Sequence, residues 1–143
     1  VGYCQNIRRI SKAPKNIHMQ KLFLLTASIS GAISVMIGAF GAHGLRKYLE
    51  ANGRMDTFET AVKYQVYHSL ALFLLGILMF HVQNRFLVLA GWSYILGILI
   101  FSGSLYLLCL SGYRWLGAIT PIGGLFLIGG WLLIALALGK SLS

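Results

Sequence analysis

The stretch Phe86–Leu110, FLVLAGWSYILGILIFSGSLYLLCL, decides the fold class of this chain. It contains no charged residue, and as an α-helix it would be about 37 Å long at 1.5 Å per residue. The hydrocarbon core of a bilayer is about 30 Å thick, so such a helix can cross a membrane with some tilt. The stretch therefore predicts a transmembrane helix.

Three further uncharged runs flank this stretch. They are Leu22–Gly44, Val66–Val82 and Pro121–Gly139. Thr120 is the predicted N-cap of the last run, with Pro121 at the first helical position, where its missing N–H costs nothing. A signal peptide followed by three spans is the alternative, but the first run is long, rich in glycine and lacks a small-residue cleavage site. The pattern favours four spans.

Composition supports a membrane protein and argues against soluble classes. The chain is 57% hydrophobic and 10% charged, with a mean hydropathy of +0.76 and a net charge of +9. A basic balance can indicate nucleic acid or anionic lipid, and here the charges lie between apolar runs, which favours lipid and predicts no nucleic-acid partner. Cys4 and Cys109 form no disulfide framework or metal motif. Nucleotide, zinc-protease and hydrolase motifs are absent, so we do not expect an enzyme.

The N-terminal residues 1–18 form a basic stretch without an acidic residue. We expect this tail to lie outside the native fold, which leaves residues 19–143 as a single four-helix membrane domain. The two sets of loops carry three and five Lys or Arg residues, and counting the tail makes it seven against five. The positive-inside rule therefore returns opposite orientations for the two counts, and orientation stays open.

The longest connection, Leu45–Gln65, is predicted to hold short helical structure. Gly53 can end one short helix, and Asp56 with Glu59 forms a predicted capping pair for a second that continues into span two. Phe58 and the aromatic residues after it suit an amphipathic helix in the headgroup layer. The predicted fold is an all-α, integral-membrane bundle of four transmembrane helices with a short amphipathic helix between spans one and two.

Small residues recur along the predicted spans and define a helix-packing seam, where backbones can approach closely. The seam consists of Ala27, Gly31, Ser34, Gly38 and Gly41 in span one, Gly97 in span three, and Gly123 and Gly130 in span four. We interpret it as packing within one chain, with a dimerisation face as the alternative.

Polar residues of the spans are predicted to meet toward one membrane face, in a candidate polar pocket. Its members are His43, Tyr64, Tyr67, His68, Ser102, Ser104, Tyr106 and Thr120. Hydrogen bonding between helices explains them most simply. Binding of a quinone or lipid headgroup through a histidine and a tyrosine is a second interpretation. Haem ligation by His43 and His68, or a metal site, is a third, but no intramembrane carboxylate completes a catalytic metal set, so we predict no cofactor and no metal.

Four ordered motifs resemble one known family. They are Gly38-Ala39-Phe40-Gly41-Ala42-His43-Gly44-Leu45, then Tyr64-Gln65-Val66-Tyr67-His68-Ser69-Leu70-Ala71-Leu72, then Phe101-Ser102-Gly103-Ser104-Leu105-Tyr106, and finally Thr120-Pro121-Ile122-Gly123-Gly124 followed by Gly130-Trp131-Leu132. The chain is similar from Met19 to Leu138 to small membrane proteins that include animal transmembrane protein 256 and bacterial inner-membrane proteins of uncharacterised function. The resemblance implies a small multi-pass protein of the bacterial inner membrane and assigns no catalytic residue.

Our leading functional hypothesis is an accessory, assembly or structural membrane component that acts by helix packing, because small-residue seams outnumber ionisable groups. Its expected partners are the lipid bilayer and a larger membrane complex or further copies of the chain. An oligomeric carrier or channel for a small solute is the alternative, as is a quinone- or lipid-binding protein that uses the His43 and His68 cluster.

Overall fold

A computed structural model describes residues 17–142 of the chain. Within that range it contains α-helices and no strand. The helices are α1 (Ile17–His43), α2 (Arg46–Ala51), α3 (Met55–Leu78), α4 (Arg85–Ser111) and α5 (Leu116–Leu142). Residues 1–16 of the predicted tail lie outside the described residues. Its last two residues, Ile17 and His18, belong to α1.

Four of these helices, α1, α3, α4 and α5, are long and apolar enough to cross a membrane. The prediction of an all-helical chain with four spans is confirmed, and the short helix α2 lies between the first two spans. From here on, spans one to four denote these helices in that order.

Local sequence explains the ends of span three. The Asn84 side chain accepts a hydrogen bond from the Phe86 backbone N–H at 3.0 Å, which caps the start of α4. At the other end Gly112 has φ of 81° and donates its N–H to the Leu108 carbonyl at 3.0 Å. Only a glycine adopts this left-handed conformation readily, so it ends the helix.

Two predicted helix starts are wrong. Span two begins at Met55 with Arg54 as its N-cap, so Asp56 lies in the first turn and does not cap the helix. The Asp56 carboxylate still suits this position, because negative charge is favourable near the positive end of a helix dipole. Span four begins at Leu116, which leaves Thr120 and Pro121 inside the helix. The proline removes one backbone bond in an early turn, where a helix tolerates the loss better than at its centre.

Part of the stretch predicted to suit the headgroup layer packs against span one. Phe58 is buried, and its ring fills the space beside Gly41, while Val62 approaches Gly38. Small residues of α1 therefore let α3 lie close along it, and the whole of Met55–Leu78 forms one continuous span.

The spans are arranged as an open row. Close packing joins span one to span two, two to three, and three to four, whereas span one hardly touches span three and does not pack closely on span four. The two outer helices are correspondingly exposed: within an apolar stretch of 18 residues in each span, 17% of residues are buried in span one and 22% in span four, against 44% and 39% in spans two and three. Much of each outer helix therefore faces the surroundings of the molecule.

The connection after span one is fastened to the end of span three. Tyr48 donates its hydroxyl to the Leu110 carbonyl at 3.0 Å, and Arg54 donates its guanidinium to the Cys109 carbonyl at 3.0 Å. These carbonyls belong to the last turn of α4, where they have no partner within the helix and where a cation is favourable.

Candidate functional site

The structure divides the predicted polar pocket into separate groups. His43 is exposed at the end of α1 and forms no hydrogen bond or ring contact with the other members in the described part of the chain. Tyr67 is also exposed, with its ring 6.5 Å from that of Tyr64. His68 and Tyr64 belong to one group, Ser104 and Thr120 to a second, and Tyr106 to a third.

His68 lies in an aromatic group between spans two, three and four. Its ring stacks on Tyr64 with centroids 5.8 Å apart and lies 5.7 Å from the Tyr94 ring, with Trp131 beyond. Its Nδ1 lies 2.9 Å from the Tyr64 carbonyl in the preceding turn. His43 and His68 are therefore not brought together as a pair of ligands. Among residues 17–142 no group of three His, Cys, Asp or Glu residues could hold a metal ion.

The two serines and the threonine of the predicted pocket form hydrogen bonds between neighbouring helices. Ser104 shares a 2.8 Å hydrogen bond with Thr120, which connects spans three and four. Ser102 donates to the Ala61 carbonyl at 2.8 Å, which connects spans three and two. All three residues are buried, so these hydrogen bonds satisfy polar groups that lipid could not.

A groove opens between spans one and three, with span two as its floor. It has a volume of about 390 Å³. Its lining consists of Thr26, Ile29, Ser30, Ile33, Ile37, Gln65, Ile98, Leu99, Ser102, Gly103 and Tyr106. A second groove of about 560 Å³ adjoins it and shares Ile37 and Tyr106. We call the first of these the lateral groove. Its walls are apolar and its floor is polar.

The polar floor is a hydrogen-bonded network that joins three spans. Gln65 donates to the Ser30 carbonyl at 3.0 Å and accepts from the Tyr106 hydroxyl at 2.8 Å. The Ser69 and Ser30 hydroxyls lie 2.7 Å apart. Such bonds between helices hold a membrane protein together where there is no hydrophobic force between its spans.

Hydrogen-bond donors remain unused in the lateral groove. The Ser30 and Ser69 hydroxyls share one bond, so one of their two hydrogens has no acceptor in the described network. One turn earlier on the same face of α1, Thr26 makes no hydrogen bond within residues 17–142. Ser30 lies at the centre of Ile17–His43, so these donors lie near the middle of span one.

Sequence reasoning missed the network because it placed Gln65 in the connection before span two, outside the hydrocarbon core. The charges of Asp56, Glu59 and Lys63 precede Gln65 and suggest that the chain has not yet entered the membrane. An available signal was the pair Thr26 and Ser30, whose spacing of four residues places two hydroxyls on one face of span one.

Glycines of the predicted seam differ in their surroundings. A Cβ at Gly123 would collide with the Phe101 backbone, and one at Gly130 would lie 2.5 Å from the Tyr94 ring. Gly41 adjoins Phe58 and Gly97 adjoins Leu127 in the same way. Ala27 and Ser34 are buried, whereas a Cβ at Gly31 would meet nothing within 4 Å.

These features define a class: a small, multi-pass helical membrane protein whose internal polar groups bond mainly to one another. Comparison with known proteins gives the family. The sequence profile described as protein of unknown function, DUF423, matches residues 37–124. The chain belongs to this family, which is uncharacterised.

Curated relatives support the assignment. The UPF0382 membrane protein of Staphylococcus haemolyticus is 45% identical and covers 84% of this chain and 97% of its own length. The UPF0382 membrane protein YwdK of Bacillus subtilis is 39% identical over 85% of this chain and 99% of its own. The UPF0382 inner membrane protein YgdD of Escherichia coli is 41% identical over 80% and 86%. No solved structure matches significantly. The predicted family and the membrane location are confirmed.

Proposed function

We propose that this protein is an accessory component of a larger membrane complex, and that it receives a transmembrane helix of a partner protein in the lateral groove. The open row supports this proposal, because span one packs closely on span two alone and leaves its other side unpartnered. The groove wall includes Ile29 and Leu99, which are 60% and 66% exposed.

The depth of the unused donors favours a helix as occupant over a phospholipid. A phospholipid carries its hydrogen-bonding groups near the surfaces of the roughly 30 Å hydrocarbon core, so its chains offer no acceptor beside Ser30. A polar side chain on a neighbouring transmembrane helix can reach this depth. Hydrogen bonds between spans contribute about 0.6 kcal/mol each on average, so such a bond would add modestly to the packing of a partner helix.

Gly103 makes the groove wall flat. It lines the groove, and a Cβ there would meet nothing within 4 Å. A facing helix can therefore approach closely, since small residues allow the close backbone contact on which membrane helices depend.

The same glycine provides the test. Gly103→Leu adds a side chain to the groove wall, and its Cβ would meet no atom of the protein within 4 Å. Gly129→Leu is the matched control, because a Cβ at Gly129 in span four also meets nothing within 4 Å. A photo-crosslinking residue is placed at Ile29 in the groove, or at the 69% exposed Leu125 of span four as a position control.

We expect crosslinking in the native membrane to give one discrete adduct with a different membrane protein from Ile29 and none from Leu125. Gly103→Leu should remove the adduct and Gly129→Leu should leave it.

An adduct of twice the chain mass would show that the partner is a second copy of this chain. A small molecule seen by native mass spectrometry, displaced by Gly103→Leu, would favour quinone or lipid binding instead. Solute flux in liposomes without any partner would favour a carrier or channel.

A further inference from the structure

Charged residues are distributed unequally between the two ends of the molecule. The chain has three acidic residues, Glu50, Asp56 and Glu59, and all of them lie in or beside the connection between spans one and two. Two of them are neutralised locally, by Arg46 at 2.8 Å and Lys63 at 3.0 Å. The hydrogen bond to Glu50 raises the pKa of Arg46 above its usual value.

The opposite end carries cations and no acidic side chain. We call it the basic end; it consists of the start of α1, residues 79–84, the start of α4 and the end of α5. Lys21, Arg85 and Lys140 lie here and are exposed. None of the three forms an ion pair within the described residues.

Two of these cations converge on one aromatic ring. The Arg85 guanidinium carbon lies 5.4 Å from the centre of the Phe86 ring, and the Lys140 ammonium lies 4.8 Å from it. The two residues come from different helices, the first turn of span three and the last turn of span four. A ring attracts cations through its quadrupole, so Phe86 brings together two like charges that would otherwise repel.

We propose that Arg85, Lys140 and Phe86 form a binding site for the phosphate group of an anionic phospholipid. An anion between the cations would relieve their mutual repulsion. A phosphate diester accepts hydrogen bonds from both a guanidinium and an ammonium group. The positive end of the α4 dipole lies beside Arg85 and adds to the attraction.

The position selects a lipid over a soluble phosphate compound. Phe86 is half-buried and packs against the apolar core, while its two cations are exposed at the ends of membrane spans. A lipid headgroup is held at this level by its own chains, and basic pockets between transmembrane helices bind anionic headgroups in this way. The proposal is independent of the lateral groove, which lies at the centre of the spans.

The test compares two double variants that remove the same charge. Arg85→Gln with Lys140→Gln alters the proposed site, and Lys47→Gln with Arg114→Gln alters two exposed cations at the other end. Purified protein in phosphatidylcholine nanodiscs is exchanged against phosphatidylglycerol, and native mass spectrometry measures how much of each lipid is retained. Circular dichroism verifies that each variant is folded.

We expect the wild type to retain phosphatidylglycerol in preference to phosphatidylcholine. The site variant should lose this preference by about fivefold for each cation removed, as expected for one kcal/mol per basic residue near an anionic surface. The control variant should keep it. Equal losses in the two variants would overturn the site in favour of overall charge. No preference in the wild type would overturn it too. Retention of added glycerol 3-phosphate to the same extent as phosphatidylglycerol would also overturn it, because it would indicate a soluble ligand.

Discussion

The contact between Gly123 and Phe101 allows a quantitative test of the packing between spans three and four. A methyl group at Gly123 would lie 2.7 Å from the Phe101 Cα and closer still to its backbone nitrogen. Carbon atoms pack at about 3.5–4.0 Å, so the two helices would have to separate by about 1 Å. Rotation of a side chain cannot relieve this collision, because the colliding atoms belong to the backbone.

The next residue is a matched control. A methyl group at Gly124 would lie 3.7 Å from the Phe101 ring, which is an ordinary contact. Both Gly→Ala changes gain the same helix propensity, up to about 1 kcal/mol, and the gain cancels when the variants are compared. We therefore expect Gly123→Ala to be less stable than Gly124→Ala by about 1–3 kcal/mol, the usual cost of overpacking.

The assay is reversible unfolding in mixed micelles of dodecyl maltoside and sodium dodecyl sulfate, followed by the fluorescence of the three tryptophans. The unfolding midpoint of Gly123→Ala should lie at a lower fraction of sodium dodecyl sulfate than that of Gly124→Ala. Equal midpoints, or a more stable Gly123→Ala protein, would refute the close backbone approach of the two helices.

Three further substitutions test single polar groups by the same assay. Tyr94→Phe should stabilise the protein by about 1–3 kcal/mol, because the buried Tyr94 hydroxyl has no hydrogen-bond partner within residues 17–142; a loss of stability would mean that the hydroxyl is bonded. Asn84→Ala should cost about 1 kcal/mol by removing the N-cap of span three, and Asn84→Ser should restore most of it. Gln65→Leu should cost about 1–3 kcal/mol because Tyr106 loses its acceptor, and the cost should shrink when Tyr106→Phe is already present; additive costs would contradict the bond.

The sequence was sufficient to predict the four spans and insufficient to place their ends. In lipid, the backbone N–H and C=O groups of an uncharged run such as Phe86–Leu110 find partners within a helix, so the number of spans follows from hydropathy. The uncharged run of span two starts at Val66, and the prediction that the preceding helix continues into it is confirmed by the single helix Met55–Leu78. Here Glu59 and Lys63 form an ion pair on the outer side of α3, so the helix continues past them.

The candidate site depended on the rotation of each helix, which hydropathy does not reveal. Each residue turns the helix by 100°, so His43 and His68 can belong to adjacent spans and still face different neighbours. For Gln65, the preceding charged residues indicated the connection before span two, and only the packing of α3 on α1 places its side chain in the lateral groove.

The open row also bears on how the chain is made. Because each span packs mainly on the one synthesised just before it, a partner is already present when each later helix enters the membrane. Local contacts of this kind shorten the search for the native state. The hydrogen bonds from Tyr48 to Leu110 and from Arg54 to Cys109 are exceptions, since both can form only after span three is complete. We expect these bonds to fix the position of the first two spans relative to the third.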